Sequence, residues 1–348
     1  MSVCQKILKN HGTEGEGLNS EGREKCGVFG IHAPGEDVAR LTFFALFALQ
    51  HRGQESAGIA STDGCRIRLH TGMGLVSQVF NEDILCNLSG NIAIGHNRYS
   101  TTGSSRLANA QPILADSPIG PIALGHNGNI VNAADLRQEL EQQGFTFRSS
   151  TDSEVIAYLI ASAPGRDCVE KIRYAMHRLK GAYSLVIMTR DSLVGVRDPL
   201  GVRPLCLGTI DGGWAIASES CALDHIGAKY VREVEPGEIT IISSRGVDSS
   251  RETSPKKSLC IFEYIYFARP DSIINNHLIY PLREAMGRQL AREYPVEADL
   301  VMGVPDSATA AGLGYAQESG IPFREGLLKN RYVGRTFIVP DQRLRELG

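Results

Sequence analysis

The sequence predicts an α+β domain of short strands and helices, followed beyond a Ser-rich break by the beginning of an α/β unit. Three observations carry that reading. Strand-like runs separated by Gly and Asn turns alternate with helical patterns from residue 26 to residue 242. The stretch 243–258, SSRGVDSSRETSPKKS, is Ser-rich, charged and poor in apolar residues, as a linker or exposed loop would be. After it the order becomes helix, apolar strand, turn and helix, which has parallel-sheet character.

The first 25 residues are polar and Gly-rich, carry charges of both signs and hold no apolar segment of signal-peptide length. The character changes abruptly at Cys26-Gly-Val-Phe-Gly-Ile, which is small, apolar and strand-like, so a boundary falls there. Asp37–Gln50 follows as a helix with an acidic start. Strands are predicted at Arg66–His70, Ile92–Gly95 and Ile122–Leu124, then helices at Ala134–Gln143, Ser153–Ser162 and Cys168–Leu179. Gly181 ends the last helix, and strands follow at Ala182–Thr189, Leu193–Val196, Leu205–Gly208, Trp214–Ala217 and Glu238–Ile242. Beyond the break come a helix at Arg283–Glu293, a strand at Asp299–Val304 and a helix at Ala308–Ala316.

Bulk properties exclude several classes. A chain of 348 residues is long enough for two domains with buried cores. Its net charge of −3 gives no electrostatic reason to bind nucleic acid or an anionic membrane. The longest apolar run, Leu41–Leu49, is far shorter than the ~20 residues of a spanning helix. Eight cysteines without a C-x-x-C pair read as reduced thiols of a cytoplasmic protein.

Cys26 is the first candidate for chemistry. If cleavage after Lys25 makes it residue one, its thiol and its own α-amine lie on the same residue. An α-amine, with a pKa of about 7.7–8.0, can then serve as the base for that thiol. Taken alone, Cys26 reads first as a buried structural Cys in an apolar strand. Its surroundings are Gln50-His-Arg-Gly-Gln-Glu-Ser-Ala-Gly-Ile, Gly95-His-Asn-Arg-Tyr-Ser-Thr-Thr-Gly, His126-Asn-Gly-Asn and Asp152-Ser-Glu.

In order and spacing these blocks resemble the motifs of class II (N-terminal-nucleophile) glutamine amidotransferase domains. The resemblance implies a fold of two stacked antiparallel sheets between helical layers, with Cys26 as nucleophile. It assigns Arg98 to the glutamine α-carboxylate and Asp152 to its α-ammonium. It makes the Asn127 side chain and the Gly128 N–H the oxyanion donors. It also makes 100–105 a lid in which Thr101 touches the substrate. Singly, these residues keep other readings. Arg98 could be an exposed loop residue, Asn127-Gly128 a type I′ hairpin turn, and Asp152 a helix cap. His51-Arg-Gly-Gln reads as pocket floor, with no catalytic role for Arg52 or Gly53. Arg197-Asp-Pro-Leu-Gly-Val-Arg-Pro reads as a structural turn.

Three later blocks are Cys260-Ile-Phe-Glu-Tyr-Ile-Tyr-Phe-Ala-Arg-Pro-Asp-Ser, Gly303-Val-Pro-Asp-Ser and Lys329-Asn-Arg-Tyr-Val-Gly-Arg-Thr-Phe-Ile. They resemble the amidophosphoribosyltransferase family. That resemblance implies glutamine as ammonia donor, phosphoribosylpyrophosphate as acceptor, a place at the first step of purine synthesis, and a homo-oligomer. Val304-Pro-Asp-Ser leads from a strand end into a helix, where open α/β sheets bind ligands. The resemblance makes Ser307 a Mg²⁺ ligand, although locally it reads as a helix cap.

Cys260 and the leading propeptide match the iron–sulfur subgroup, in which Cys260 would be the first of four [4Fe–4S] ligands. Locally it reads as a buried thiol. The paired acidic residues and Gly/Thr loop that complete a type I phosphoribosyltransferase are absent from Cys260–Gly348. The expectation is therefore an incomplete α/β phosphoribosyltransferase domain. It would carry no stable cluster, and the polypeptide would be a glutaminase at most. The expected division is propeptide 1–25, amidotransferase domain 26–242, linker 243–258 and partial domain 259–348. Two rivals remain open: an N-terminal-nucleophile hydrolase of another amide, and a non-catalytic regulatory protein.

Overall fold

Strand β1 (Gly27–His32) shows how the chain sorts its side chains into layers. Phe29 and Ile31 point to one side, while Val28 and Gly30 point to the other, as the two-residue period of a strand requires. Both sides are buried. In this computed structural model, which describes residues 26–99, 105–251 and 257–330, β1 therefore lies inside a sheet covered on both faces.

That sheet has seven strands in the order β11-β9-β10-β1-β4-β2-β3. They are β2 (Ser56–Thr62), β3 (Ile67–Met73), β4 (Ile92–Arg98), β9 (Cys206–Ile210), β10 (Gly213–Ala217) and β11 (Lys229–Glu233) around β1. Every pairing in it is antiparallel. A second antiparallel sheet has the order β13-β12-β8-β7-β6-β5. Its strands are β5 (Ile113–Ala115), β6 (Ile122–Ile130), β7 (Gly181–Met188), β8 (Ser192–Arg197), β12 (Glu238–Ser243) and β13 (Gly246–Arg251).

Val28, Ile94, Ala123, Val186, Leu193 and Ile216 fill the space between the sheets. Helix α1 (Val38–Ala48), capped by the Asp37 carboxylate on the Arg40 N–H, covers the outer face of the first sheet. Helices α4 (Ala133–Gln142), α5 (Asp152–Ser162) and α6 (Cys168–Arg178) cover the second sheet through Leu140, Ile156 and Ile172. The short helices α2 (Val76–Val79), α3 (Glu82–Asn87) and α7 (Ser220–His225) complete the first layer. Two stacked antiparallel sheets between helical layers are thus present, as the motifs implied.

The later residues form a π-helical turn at Glu263–Phe267 and a small hairpin, β14 (Ile273–Ile274) with β15 (His277–Leu278). Asn275 and Asn276 make its two-residue turn at φ of 48° and 61°, a conformation Asn tolerates. Helices α8 (Ile279–Glu293) and α9 (Thr309–Ser319) cross where each carries a glycine. A Cβ on Gly287 would collide with the Ala311 carbonyl, and one on Gly314 with the Glu284 carbonyl. No helix among the described residues is long and apolar enough to cross a membrane.

Three expectations need correction. The Ser-rich stretch is not wholly a loop: Gly246–Arg251 pairs along its length with β12 as an edge strand. Its polar side chains suit an edge, where one side faces water. The predicted strand Asp299–Val304 reduces to one parallel bridge between Val301 and Phe323, because no longer ladder forms around it among the described residues. Strand β6 does not stop at Leu124 but runs on through His126, Asn127 and Gly128 to Ile130.

The tight sheet–sheet contact makes a prediction. A Cβ on Gly30 would sit 2.6 Å from Val186 and Leu193 side-chain carbons of the facing sheet. Gly30→Val should lower the unfolding free energy by about 1–3 kcal/mol, measured by denaturant titration.

Candidate active site

The site gathers at one end of the two sheets. In β4, Ile92, Ile94, His96 and Arg98 face the second sheet, while Ala93, Gly95 and Asn97 face α1. In β6, Ala123, Gly125 and Asn127 face back towards the first sheet. A hydrogen bond crosses between them, from His96 Nε2 to the His126 carbonyl at 3.0 Å. Burial drives the His96 pKa down to about 3, so the ring is neutral. A carbonyl can only accept, so the proton sits on Nε2.

Cys26 immediately precedes β1 and is 5% exposed. Its Sγ accepts from the Tyr99 N–H at 3.5 Å and lies 3.8 Å from the Tyr99 carbonyl. The nucleophile candidate is therefore held at the end of β4, one residue beyond Arg98. Cys168, Cys206 and Cys221 contrast with it. Burial pushes the Cys168 thiol up to about 12 and raises the other two as well, so they act as core hydrophobes.

Arg98 is buried, not an exposed loop residue, and one arm of its guanidinium is paired with Glu55. Asn127 and Gly128 are not a hairpin turn. They sit mid-strand in β6, opposite Ser184 and Tyr183 of β7. Gly128 has φ of 156°, and a Cβ there would collide with the Ala182 carbonyl, so only glycine fits. The Asn127 side chain is fully buried, and neither its Nδ2 nor its Oδ1 has a partner among the described residues.

Asp152 begins α5 without capping it; the cap position is Thr151. Asp152 Oδ2 accepts from the Ile130 N–H at 3.0 Å, and Oδ1 lies 3.6 Å from His126 Nδ1. Burial opposes its charge, but His126 and these hydrogen bonds outweigh burial and hold its pKa below the usual range. Thr101 and the other lid residues 100–104 lie outside the described residues.

Arg52 was read from the sequence as pocket floor. It is almost fully buried and joins Glu219 and Glu263, with Nη2–Oε1 of 2.7 Å to the latter. Its Nε donates to the Cys26 carbonyl at 3.2 Å. Glu219 also accepts from Ser272 Oγ at 2.7 Å and the Arg269 N–H at 2.9 Å, and lies 2.8 Å from His51 Nε2. Burial would raise the Glu219 pKa, yet His51 and Arg52 hold it well below the ordinary value. Glu55, Glu219 and Glu263 were not singled out. One signal was available for Glu219: a carboxylate two residues after the apolar strand Trp214–Ala217.

In the later part Ser307 lies in the turn 305–308 before α9, whose cap position, Ala308, makes no side-chain capping bond. Ser307 is therefore not the helix cap. Its neighbour Asp306 is paired with Lys329 Nζ at 2.7 Å. Cys260 is half-buried, a free thiol just before the π-helical turn.

A family model described as a glutamine amidotransferase domain matches residues 96–225. The amidophosphoribosyltransferase of Synechococcus elongatus is 53% identical over 332 residues, covering 93% of this chain and 67% of the relative. The chain belongs to the amidophosphoribosyltransferase family. A solved structure described as the allosteric regulatory enzyme of purine biosynthesis superposes with a TM-score of 0.85 at 48% identity. It spans 93% of this chain and 70% of that one. The glutamine phosphoribosylpyrophosphate amidotransferase of B. subtilis, solved with ADP and GMP, gives a TM-score of 0.84 at 48% identity, with the same coverages. The chain spans about two thirds of the length of the curated amidophosphoribosyltransferases it matches.

Acid should unlock this end of the molecule. Glu219 and Asp152 have folded pKa values below their unfolded ones. Their stabilisation is complete above the unfolded values, about 4. It is lost as pH falls through the depressed folded values. Thermal unfolding midpoints should therefore hold down to about pH 4 and fall below it. Glu219→Leu should cost about 3–5 kcal/mol at pH 7 and flatten that acid limb.

Proposed function

We propose that the chain releases ammonia from glutamine at Cys26 and that the family's phosphoribosylpyrophosphate chemistry is its purpose, as the first step of purine synthesis. The observation that carries the glutaminase reading is the Asn127 side chain, buried with both polar atoms unpartnered among the described residues. A buried amide left without a partner costs stability, so its retention calls for a ligand that completes it. An oxyanion forming beside Cys26 is such a ligand.

In this reading residues 1–25 are removed and the new α-amine takes the Cys26 thiol proton. The thiolate attacks the glutamine amide carbon, and the carbonyl electron pair moves onto oxygen. Asn127 Nδ2 and the Gly128 N–H stabilise that oxyanion. The amine returns its proton to the leaving nitrogen, ammonia departs, and water cleaves the thioester to glutamate. Arg98 holds the substrate α-carboxylate, Asp152 its α-ammonium, and Thr101 closes over it. Glu55 fits this scheme as the group that orients Arg98.

For the acceptor half, Ser307 and Asp306 are hard oxygen donors of the kind Mg²⁺ takes. When bound, the ion would offset pyrophosphate charge. For a [4Fe–4S] cluster the described residues do not fit. Such a cluster needs four thiolates, and no group of three or more His, Cys, Asp or Glu among them is set to hold a metal. The place of Cys260 in a cluster, and the iron–sulfur and propeptide subgroup, rest on motif resemblance alone. A reducing cytoplasmic setting is part of the proposal, in keeping with described cysteines that are thiols and not disulfides.

Two measurements test it. N-terminal analysis of active protein should find chains that begin at Cys26; activity carried only by Met1-initiated chains would overturn the mechanism. Asn127→Ala should cut kcat for glutamine hydrolysis by about 10²–10³ while leaving the unfolding midpoint unchanged or raised, since an unsatisfied amide is removed. Faster cleavage of simple acyl amides than of glutamine would favour the rival hydrolase class.

A further inference from the structure

We propose that Arg52 is a positioning residue for the nucleophile, and that Glu263, from beyond the Ser-rich stretch, holds it in place. The inference rests on Cys26 being the nucleophile. It adds that the geometry of Cys26 is set from the later part of the chain.

Each arm of the Arg52 guanidinium is used. Nε donates to the Cys26 carbonyl at 3.2 Å. Nη1 and Nη2 donate to the two Glu263 oxygens at 3.0 and 2.7 Å, and Nη1 also meets Glu219. A planar fork gripped at two points transmits direction as well as charge. With its carbonyl pinned, Cys26 loses freedom about the bond that fixes its amine and thiol relative to the strand. Those two groups must exchange a proton, so an error of about 1 Å would be felt in kcat.

Glu263 is itself anchored. It opens the π-helical turn 263–267, a rare form of helix that is frequently found at functional sites. Arg283 of α8 donates to the Tyr264 carbonyl at 2.6 Å and to the Ala268 carbonyl at 2.9 Å, clamping that turn from behind. Bonded groups therefore run without a gap from α8, through Arg283 and the turn, to Glu263, Arg52 and the Cys26 carbonyl. Glu219 adds a second tie, since it binds Arg52 as well as Ser272 and the Arg269 N–H. A buried cluster of this kind is weak evidence for stability. Its contact with the nucleophile supplies a different reason for it.

The test uses the processed chain. Cys26→Ser is measured first: retained hydrolysis would overturn the nucleophile assignment itself. With that loss established, Glu263→Gln should lower kcat for glutamine about 10- to 100-fold with KM changed less than about twofold. Carboxamidomethylation of Cys26 by iodoacetamide should slow in parallel, with a shifted pH profile. Arg52→Lys, which keeps the charge and loses the fork, should do the same. Glu263→Asp, which keeps the charge at shorter reach, should recover part of the rate. A Glu263→Gln protein with a lower unfolding midpoint but unchanged kcat and alkylation profile would overturn the proposal and leave the cluster purely structural. Should the Gln variant not fold, Arg52→Lys and Glu263→Asp are read by the same three measurements, and unchanged values in both overturn it.

Discussion

The close packing of the β1–β4 face of one sheet on the β6–β7–β8 face of the other is the constraint on which the rest depends. Its residues are small or branched where the sheets meet, with Gly30 against Val186 and Leu193, and Gly195 against Ile216. Stacked sheets lie about 10 Å apart, and only small residues let a histidine from one reach a carbonyl of the other. That bond, His96 to His126, aligns the end of β4 with the middle of β6. Once it is made, strand geometry places Arg98 and Asn127, while Cys26 meets the end of β4 through the Tyr99 N–H.

The same packing explains why polar groups can be buried at that end. Arg98 meets Glu55, Asp152 meets the Ile130 N–H and His126, and Arg52 meets two carboxylates. Each charge has a counterpart, as burial demands. Asn127 stands apart, with both polar atoms of its side chain unsatisfied among the described residues, in a strand whose backbone is paired to β7. Conflict between local stability and placement is expected where chemistry occurs.

The Arg52 cluster also relates the early and late parts of the chain. Glu219 follows β10, while Glu263, Arg269 and Ser272 come from the segment after the second sheet. Charges separated by more than 200 positions meet within hydrogen-bonding distance. The late segment is therefore joined to the amidotransferase layers through their buried polar centre as well as through surface contacts.

Periodicity alone determined most elements. Asp37 as a helix start, the three helices between residues 133 and 178, and the apolar strand after Gly181 lie within a residue or two of where they were read. The motif blocks named the family. What the sequence could not show was where polar strand ends and isolated charges go. Asn127-Gly128 left a hairpin turn open as an alternative because its residues are polar and small, yet it is mid-strand. Gly246–Arg251 looked like linker for the same reason, yet it pairs at a sheet edge. The partners of Arg52 are invisible to local pattern because its two carboxylates lie 167 and 211 positions away. Local pattern records which face of an element is apolar. Only the tertiary structure decides which distant charges share a buried space, because that pairing depends on how sheets and helices stack.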